Sequence, residues 1–207
     1  RRIVETGLLP AGALQLICGG VGDLFEHLGC QDVVSFTGSA ATAAKLRTHP
    51  SVVRHSVRFI AETDSLNSSI LGPDAGPESP EFGHFVQEVA REMTVKAGQK
   101  CTAIRKALVP QNRIADVVAA LRAKLAETVV GDPRVEGVRM GPLASLAQRE
   151  EVRSRVAELG RESEIVAGDP ERFEVSGADR ERGAFLPPIL LLCRDAANSR
   201  AVHSVEA

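Results

Sequence analysis

The 207-residue chain contains no tryptophan and no tyrosine, so seven phenylalanines are its only large aromatic side chains. Flat rings on which nucleic-acid bases stack are therefore scarce. The formal net charge is −2, with 25 lysines and arginines against 27 aspartates and glutamates, and no long basic stripe is present. These observations argue against a nucleic-acid partner.

Long apolar runs are missing as well. No stretch approaches the roughly 20 apolar residues that a membrane-spanning helix needs, and the longest one, residues 185–193, is interrupted by two prolines. No signal peptide opens the sequence. We therefore expect a cytoplasmic protein without a membrane partner.

The cysteines are few and scattered. Cys18, Cys30, Cys101 and Cys193 form no pair at the two-residue spacing that is typical of zinc sites and redox motifs. We predict no metal site and no disulfide framework. Reduced thiols are the expected state, as in cytosolic proteins.

Candidate strands and helices alternate in the first part of the chain, which favours the α/β class. Strands are predicted at residues 14–20, 32–39 and 56–63, the first of them buried, and helices at residues 22–29 and 40–48. This order is typical of a parallel nucleotide-binding sheet, here only a partial one.

The pattern changes after Glu62. Strands are predicted to start at residues 66 and 104, and helices over residues 82–93, 114–125 and 145–160. Gly98 is expected to cap the first of these helices. We predict two domains, residues 1–62 and residues 63–207, and expect the chain to be a piece of a longer polypeptide that extends beyond both ends.

Cys101 lies in the stretch AGQKCTAIRK. A free cysteine is more often a small buried apolar residue than a nucleophile. Lys100, Arg105 and Lys106 place positive charge around it, which would attract a thiolate. Gly98 lets the backbone approach a ligand and direct N–H groups toward a developing oxyanion. From these residues alone, both interpretations of the thiol stay open.

Two further features have a functional and a plain structural interpretation. Glu62 ends an apolar strand, where it is either solvated or the partner of Cys101 in two-step acyl chemistry, activating the water that follows the thiol. Gly38 and Ser39 form a strand-to-helix turn that either holds a phosphate or simply caps the helix.

Motifs along the whole chain nevertheless occur in a specific order: FTGS, AETDSLNSSILGPDA, AGQKCTA, GDP, GPLASLAQ, GAFLPPILL and a terminal VEA. Together they resemble the aldehyde dehydrogenase superfamily. That family commonly has E-L-G-G-K where this chain has ETDSL, and the gap to the cysteine is longer here. Both departures, with DSLN and REMTVKAGQKCTAIRK, resemble the aldehyde dehydrogenase part of bifunctional phenylacetate-degradation proteins (PaaZ type). Benzoate-oxidation semialdehyde dehydrogenases are the nearest alternative.

The resemblance implies site residues position by position. Cys101 matches the nucleophile and Glu62 the general base. The cofactor positions are Gly38 and Ser39 near the pyrophosphate, and Gln148 and Glu206 near the ribose next to the nicotinamide. Gln148 also completes a possible capping box with Ser145, and Glu206 could simply be solvated.

The implied activity is the oxidation of an aldehyde to a carboxylic acid through a cysteine thioester, with NADP or NAD. The closer resemblance implies a ring-opened, CoA-linked semialdehyde of aromatic catabolism and a homo-oligomeric full-length protein. A CoA-acylating dehydrogenase and a non-catalytic scaffold with the same fold are the alternatives. Because the first half of the family's nucleotide-binding domain is not in this sequence, we expect the chain alone to be inactive.

Overall fold

The computed structural model describes residues 2–206. These residues divide into two compact units, and the division falls between Asp64 and Ser65.

The first unit is a small α/β arrangement. Its elements are α1 (Arg2–Glu5), a 3₁₀ helix (Leu24–His27), β1 (Val33–Thr37), α2 (Ala40–Arg47), α3 (Pro50–Arg54) and β2 (Arg58–Glu62). β1 and β2 pair in parallel, which requires a long crossover connection, here supplied by α2 and α3. The predicted alternation of strands and helices is confirmed for β1, α2 and β2.

The register of the strand pair decides which residues share an edge. Thr37, the last residue of β1, lies opposite Glu62, the last residue of β2. Immediately beyond Thr37, the N–H of Gly38 donates a hydrogen bond to the carbonyl oxygen of Glu62 at 3.1 Å. Glu62 and the turn at Gly38 and Ser39 therefore lie together at the carboxyl edge of this pair.

The strand predicted at residues 14–20 is wrong. This segment forms turns and irregular backbone, and its apolar side chains Leu16 and Ile17 are 88% and 56% exposed. Cys18 is exposed as well. A strand needs a neighbouring strand for its backbone hydrogen bonds, and none of the described strands pairs with this segment.

The second unit is larger and mixes helices with two short strand pairs. Its elements are β3 (Ser68–Ile70), α4 (Pro80–Thr94), a 3₁₀ helix (Val95–Gly98), β4 (Lys106–Leu108), a 3₁₀ helix (Gln111–Arg113), α5 (Ile114–Ala126), α6 (Leu146–Leu159), β5 (Glu164–Ala167), β6 (Leu190–Leu192) and α7 (Arg200–Ser204). β3 and β4 pair in parallel, and β5 and β6 antiparallel.

Helices α4 and α5 form the main core of this unit. Their buried residues follow the helical spacing predicted from the sequence: Phe82, Phe85, Val86, Val89 and Ala90 on α4, and Val117, Leu121 and Leu125 on α5. Leu121 is only 1% exposed. Each large apolar side chain buried here contributes about 1.5–3 kcal/mol, so this core fixes the strands and loops that follow α4.

Helix α6 begins and ends where the sequence predicts. The Ser145 hydroxyl oxygen accepts a hydrogen bond from the N–H of Gln148 at 3.1 Å, and Gly160 follows the last helical residue. Ser at this position satisfies one of the unpaired N–H groups of the first turn.

The prediction that Gly98 caps α4 is wrong. The helix ends at Thr94, and the N–H of Val95 closes it on the carbonyl oxygen of Arg91. Lys96 and Ala97 then adopt positive φ angles of 54° each, followed by Gly98 at 71°. The chain has therefore already left the helix before it reaches the glycine.

The α/β class predicted from the sequence is confirmed by this mixture of helices and parallel strand pairs. Among the described residues, no helix combines the length and the apolar character required to cross a membrane.

Candidate active site

The turn that precedes Cys101 is strained. Lys96 and Ala97 are not glycines, yet both occupy the left-handed region, which costs an L-residue roughly 1–2 kcal/mol. Ala97 packs against two small buried clusters, one around Phe185 and the other around Leu186, and this packing holds the turn. Such strain is typical of functional sites.

Residues 99–105 form what we call the cysteine loop. Cys101 is exposed, whereas Ala103, two residues later, is completely buried. The loop therefore presents its thiol to solvent while its own backbone is anchored in the protein. Cys101 is therefore not a packed core thiol in this structure.

Two side chains that precede β3 hold the backbone of this loop. The Ser65 hydroxyl donates to the carbonyl oxygen of Cys101 at 2.6 Å, and Asn67 Nδ2 donates to the same oxygen at 2.7 Å. Asn67 Nδ2 also donates to the carbonyl oxygen of Ala103 at 3.1 Å. Neither side chain was predicted as a site residue from the sequence.

A third tether comes from Gln99 at the start of the loop. Its Oε1 accepts a hydrogen bond from the N–H of Ala144 at 2.8 Å, and its Nε2 donates to the carbonyl oxygen of Lys96 at 2.9 Å. Gln99 thus links the strained turn to the segment that precedes α6. The GQKC motif contains this residue, but nothing in the motif indicates its distant partner.

Two of the three cations expected around Cys101, Lys100 and Arg105, are paired with carboxylates. Lys100 Nζ lies 2.6 Å from Glu92 Oε1, and Arg105 Nε lies 3.5 Å from Glu206 Oε1. All four side chains are largely buried. The field at the loop is therefore less positive than the sequence alone indicates.

Glu206 lies beside the cysteine loop. Its Oε2 accepts a hydrogen bond from the N–H of Ser65 at 3.2 Å, and its other oxygen faces Arg105. Ser65 consequently touches both Glu206 and the carbonyl group of Cys101. The structure thus brings together two of the residues that the sequence analysis assigned to the site, through a residue that it did not assign.

Helix α7, which precedes Glu206, is held by another acidic residue. Glu162 Oε2 accepts hydrogen bonds from the Ser199 hydroxyl and from the N–H of Ala201. These two bonds, the hydroxyl first, lower the pKa of Glu162 below its usual value. The ionised carboxylate is therefore the form that stabilises the start of α7.

Gln148 is half-buried in the first turn of α6. Its backbone N–H is capped by Ser145, but among the described residues its side-chain amide makes no hydrogen bond back to Ser145. The capping box is therefore only half formed, and the amide is not used in closing the helix start.

In the first unit, Glu62, Gly38 and Ser39 are all exposed at the carboxyl edge of β1 and β2. The Ser39 hydroxyl oxygen accepts from the N–H of Thr42 at 3.2 Å and caps α2. Asp64 Oδ1 accepts from the N–H of Ala40 at 2.9 Å. An acidic side chain thus takes the first N–H of this helix.

No group of three or more His, Cys, Asp or Glu side chains within residues 2–206 is arranged to hold a metal ion.

The fold and the order of these residues define a dehydrogenase class. The sequence pattern of the Aldehyde dehydrogenase family matches residues 2–204, and the chain belongs to this family. It is 52% identical over 204 residues to the 3,4-dehydroadipyl-CoA semialdehyde dehydrogenase of Aromatoleum evansii. This match covers 99% of the chain and 40% of the relative. The expected resemblance to dehydrogenases of CoA-linked semialdehydes is thereby confirmed.

Solved structures agree with this assignment. Aldehyde dehydrogenase C of Pseudomonas syringae, a C291A mutant in complex with NAD+ and octanal, superimposes with a TM-score of 0.65 at 28% identity, over 77% of this chain and 31% of that one. Proline utilization A of Bradyrhizobium japonicum, a D779Y mutant, superimposes with a TM-score of 0.71 at 21% identity, over 92% of this chain and 18% of that one. At this identity the similarity shows the fold alone. The chain spans about two fifths of the length of the Aromatoleum relative.

Proposed function

We propose that this sequence supplies the nucleophile-bearing part of an NAD(P)-dependent aldehyde dehydrogenase. The observation that carries the proposal is the exposed thiol of Cys101 on a loop whose backbone is held at both sides. An exposed thiol on a loop that is anchored by the buried Ala103 is suited to covalent catalysis. It does not suit a structural cysteine, which would be packed.

In this proposal, the sulfur of Cys101 attacks the carbonyl carbon of the aldehyde and forms a thiohemiacetal. A nicotinamide cofactor, when bound, would supply the hydride acceptor that oxidation of this adduct requires. The substrate is then held as a thioester on Cys101. Glu62 takes a proton from water as the water oxygen attacks the thioester carbon, so that the acid leaves and the sulfur is freed.

The residues present fit the pyrophosphate of such a cofactor. Gly38 has no side chain, and it and Ser39, whose exposed hydroxyl caps α2, precede the N-terminus of an eight-residue helix, where anions are favoured. Gln148 and Glu206 are assigned to the ribose near the nicotinamide. The amide of Gln148, which does not bond back to Ser145, and the partly exposed carboxylate of Glu206 support this assignment.

The proposed substrate is a ring-opened, CoA-linked semialdehyde of aromatic catabolism, because the relative with 52% identity is named for 3,4-dehydroadipyl-CoA semialdehyde. Hydrolysis rather than acyl transfer to coenzyme A is favoured, because only hydrolysis needs the water-activating carboxylate of Glu62. A cytoplasmic location, NADP as the preferred cofactor and a homo-oligomeric assembly complete the proposal.

The test is to incubate the full-length protein that carries this sequence with 3,4-dehydroadipyl-CoA semialdehyde and either NAD or NADP. Reduced nicotinamide and one carboxylic acid per turnover are expected, and Cys101→Ser should abolish both. A CoA thioester as the new product would indicate the acylating alternative. No reduced nicotinamide with either cofactor would refute the proposal in favour of a scaffold.

A further inference from the structure

The peptide group that follows Cys101 is held more firmly than an exposed loop requires. Its carbonyl oxygen accepts two hydrogen bonds, from the Ser65 hydroxyl and from Asn67 Nδ2. Both donors belong to the segment just before β3. Two donors on one carbonyl oxygen leave the peptide little freedom to rotate, because rotation would break both bonds.

The chemistry of the acceptors fixes the orientation of the Asn67 amide. The carbonyl oxygens of Cys101 and Ala103 only accept hydrogen bonds, so the nitrogen of the amide must face the loop. Asn67 Nδ2 also donates to the Ser65 hydroxyl oxygen at 2.9 Å. Its two N–H bonds are therefore shared among three acceptors, and the two side chains form one connected unit.

The backbone of Asn67 is fixed independently of its side chain. Its carbonyl oxygen accepts hydrogen bonds from the N–H groups of Arg105 and Lys106, at 2.9 and 3.1 Å. These bonds extend the pairing of β3 with β4 to the end of the cysteine loop. Asn67 is thus anchored on a strand pair while its side chain reaches back to the nucleophile.

We propose that Ser65 and Asn67 are positioning residues for Cys101, and that they do so by clamping the peptide group between Cys101 and Thr102. The peptide is planar and trans, so holding the carbonyl group directs the N–H of Thr102 to the opposite side. The same restraint limits the backbone rotation that would swing the thiol. The proposal rests on the proposed function, because it assumes that Cys101 is the nucleophile.

Ser65 extends the clamp to Glu206. Its hydroxyl donates to Cys101 while its backbone N–H donates to the carboxylate of Glu206. One residue therefore positions the nucleophile and the carboxylate of Glu206, which is assigned to the cofactor ribose. Losing the hydroxyl should disturb the first contact and leave the second in place.

The variants separate positioning from a general loss of folding. Asn67→Asp has the same shape but places oxygen atoms against two carbonyl oxygens, and Ser65→Ala removes the hydroxyl. Ser65→Thr keeps a hydroxyl and should rescue. Asn112→Asp makes the same chemical change at an exposed position and serves as the matched control.

Hydrogen exchange on the 207-residue chain tests the clamp itself. In Asn67→Asp and Ser65→Ala, the amides of residues 99–105 should exchange about 5- to 13-fold faster, as expected when a restraint of about 1–1.5 kcal/mol is lost. Exchange in α5 should be the same in these two variants as in the unchanged chain. In Ser65→Thr and Asn112→Asp, exchange in the loop should also match the unchanged chain. Unchanged exchange in the loop, or faster exchange in α5 to the same degree, would overturn the proposal.

Kinetics of the full-length protein test the consequence. A nucleophile displaced by about 1 Å loses about 10²-fold in rate, so kcat should fall by about 10- to 100-fold while KM for aldehyde and cofactor stays within about twofold. Wild-type kcat in both variants would overturn positioning. If even the unchanged protein forms no reduced nicotinamide, the proposed function fails, whereas the exchange result still decides the clamp.

Discussion

The carboxylate of Asp64 lies 2.9 Å from the backbone nitrogen of Ala40 and accepts its hydrogen bond. Ala40 is the first residue of α2, where unpaired N–H groups and the helix dipole attract anions. The aldehyde dehydrogenase pattern commonly has a glycine at the position of Asp64. The protein thus places its own negative charge beside Ser39, where the pyrophosphate of the proposed cofactor would be held.

Replacing Asp64 by Asn should therefore strengthen cofactor binding. A charge near a helix N-terminus is worth about 0.3–1 kcal/mol, so the Kd for NAD or NADP should fall by about two- to fivefold in calorimetric titrations of the full-length protein. Asp23→Asn removes the same charge from a side chain that is 76% exposed and should leave the Kd unchanged. Equal or weaker binding by Asp64→Asn would show that its carboxylate does not oppose the cofactor.

The exchange Glu62→Gln separates the two interpretations of that carboxylate. The amide has nearly the same size but cannot take a proton from water, so attack by Cys101 should survive while release of the acid slows. In the full-length protein we expect a burst of about one reduced nicotinamide per site and then turnover lowered by about 10²- to 10⁴-fold. Intact mass should show the thioester on Cys101.

Added hydroxylamine should restore turnover of Glu62→Gln, because it attacks the thioester without a general base. Glu26→Gln, at another exposed glutamate of the first unit, is the control and should leave turnover unchanged. If Glu62→Gln behaves like this control, then Glu62 is only a solvated strand end.

Two Gly→Ala exchanges should shift stability in opposite directions. Gly98 has a φ of 71° and an added Cβ would meet only ordinary contacts, so the cost of Gly98→Ala is that of the left-handed backbone, about 1–2 kcal/mol. Gly83 lies exposed in α4 with open space around it, and Gly83→Ala should gain about 0.5–1 kcal/mol. Denaturant unfolding of the chain measures both, and a shift in the same direction would contradict the assignment of strain.

The restraint that Glu162 places on α7 should depend on pH. Its pKa is lowered in the folded protein, so its contribution is complete above the usual glutamate value of about 4.3 and is lost as the pH falls through the lowered value. Hydrogen exchange in residues 199–206, corrected for the intrinsic pH effect, should therefore accelerate in acid. Glu162→Gln should remove this dependence, whereas Glu158→Gln, at an exposed side chain on α6, should retain it.

The long elements of the fold could be predicted because they repeat a pattern. Apolar residues recur at helical spacing several times along α4 and α5. Helix α6 has a recognisable residue at each end, Ser145 before it and Gly160 after it. The wrong strand at residues 14–20 shows the limit, since apolar composition cannot supply the neighbouring strand. The five-residue helix α7 was missed because it is too short to repeat an apolar pattern, and because Glu162, which accepts a hydrogen bond from the N-cap residue Ser199, lies 37 residues earlier.

The candidate site shows the same limit. Cys101, Glu62 and Glu206 were found from motifs, but their roles remain proposals. Ser65 and Asn67 were not found, because each acts by donating to a backbone carbonyl group more than 30 residues away. A backbone carbonyl group is present at every residue, so the partner of such a side chain leaves no trace in the sequence.

The strained turn between α4 and Cys101 also makes chain length a constraint. Lys96, Ala97 and Gly98 reverse the chain by three successive left-handed residues, with the helix core fixed before them and the buried Ala103 after them. The length of this connecting segment is therefore fixed. Inserting or deleting a single residue between Thr94 and Gln99 would shift the thiol out of place even if every side chain of the loop were retained, so this segment is a poor choice for an epitope tag or a permuted terminus.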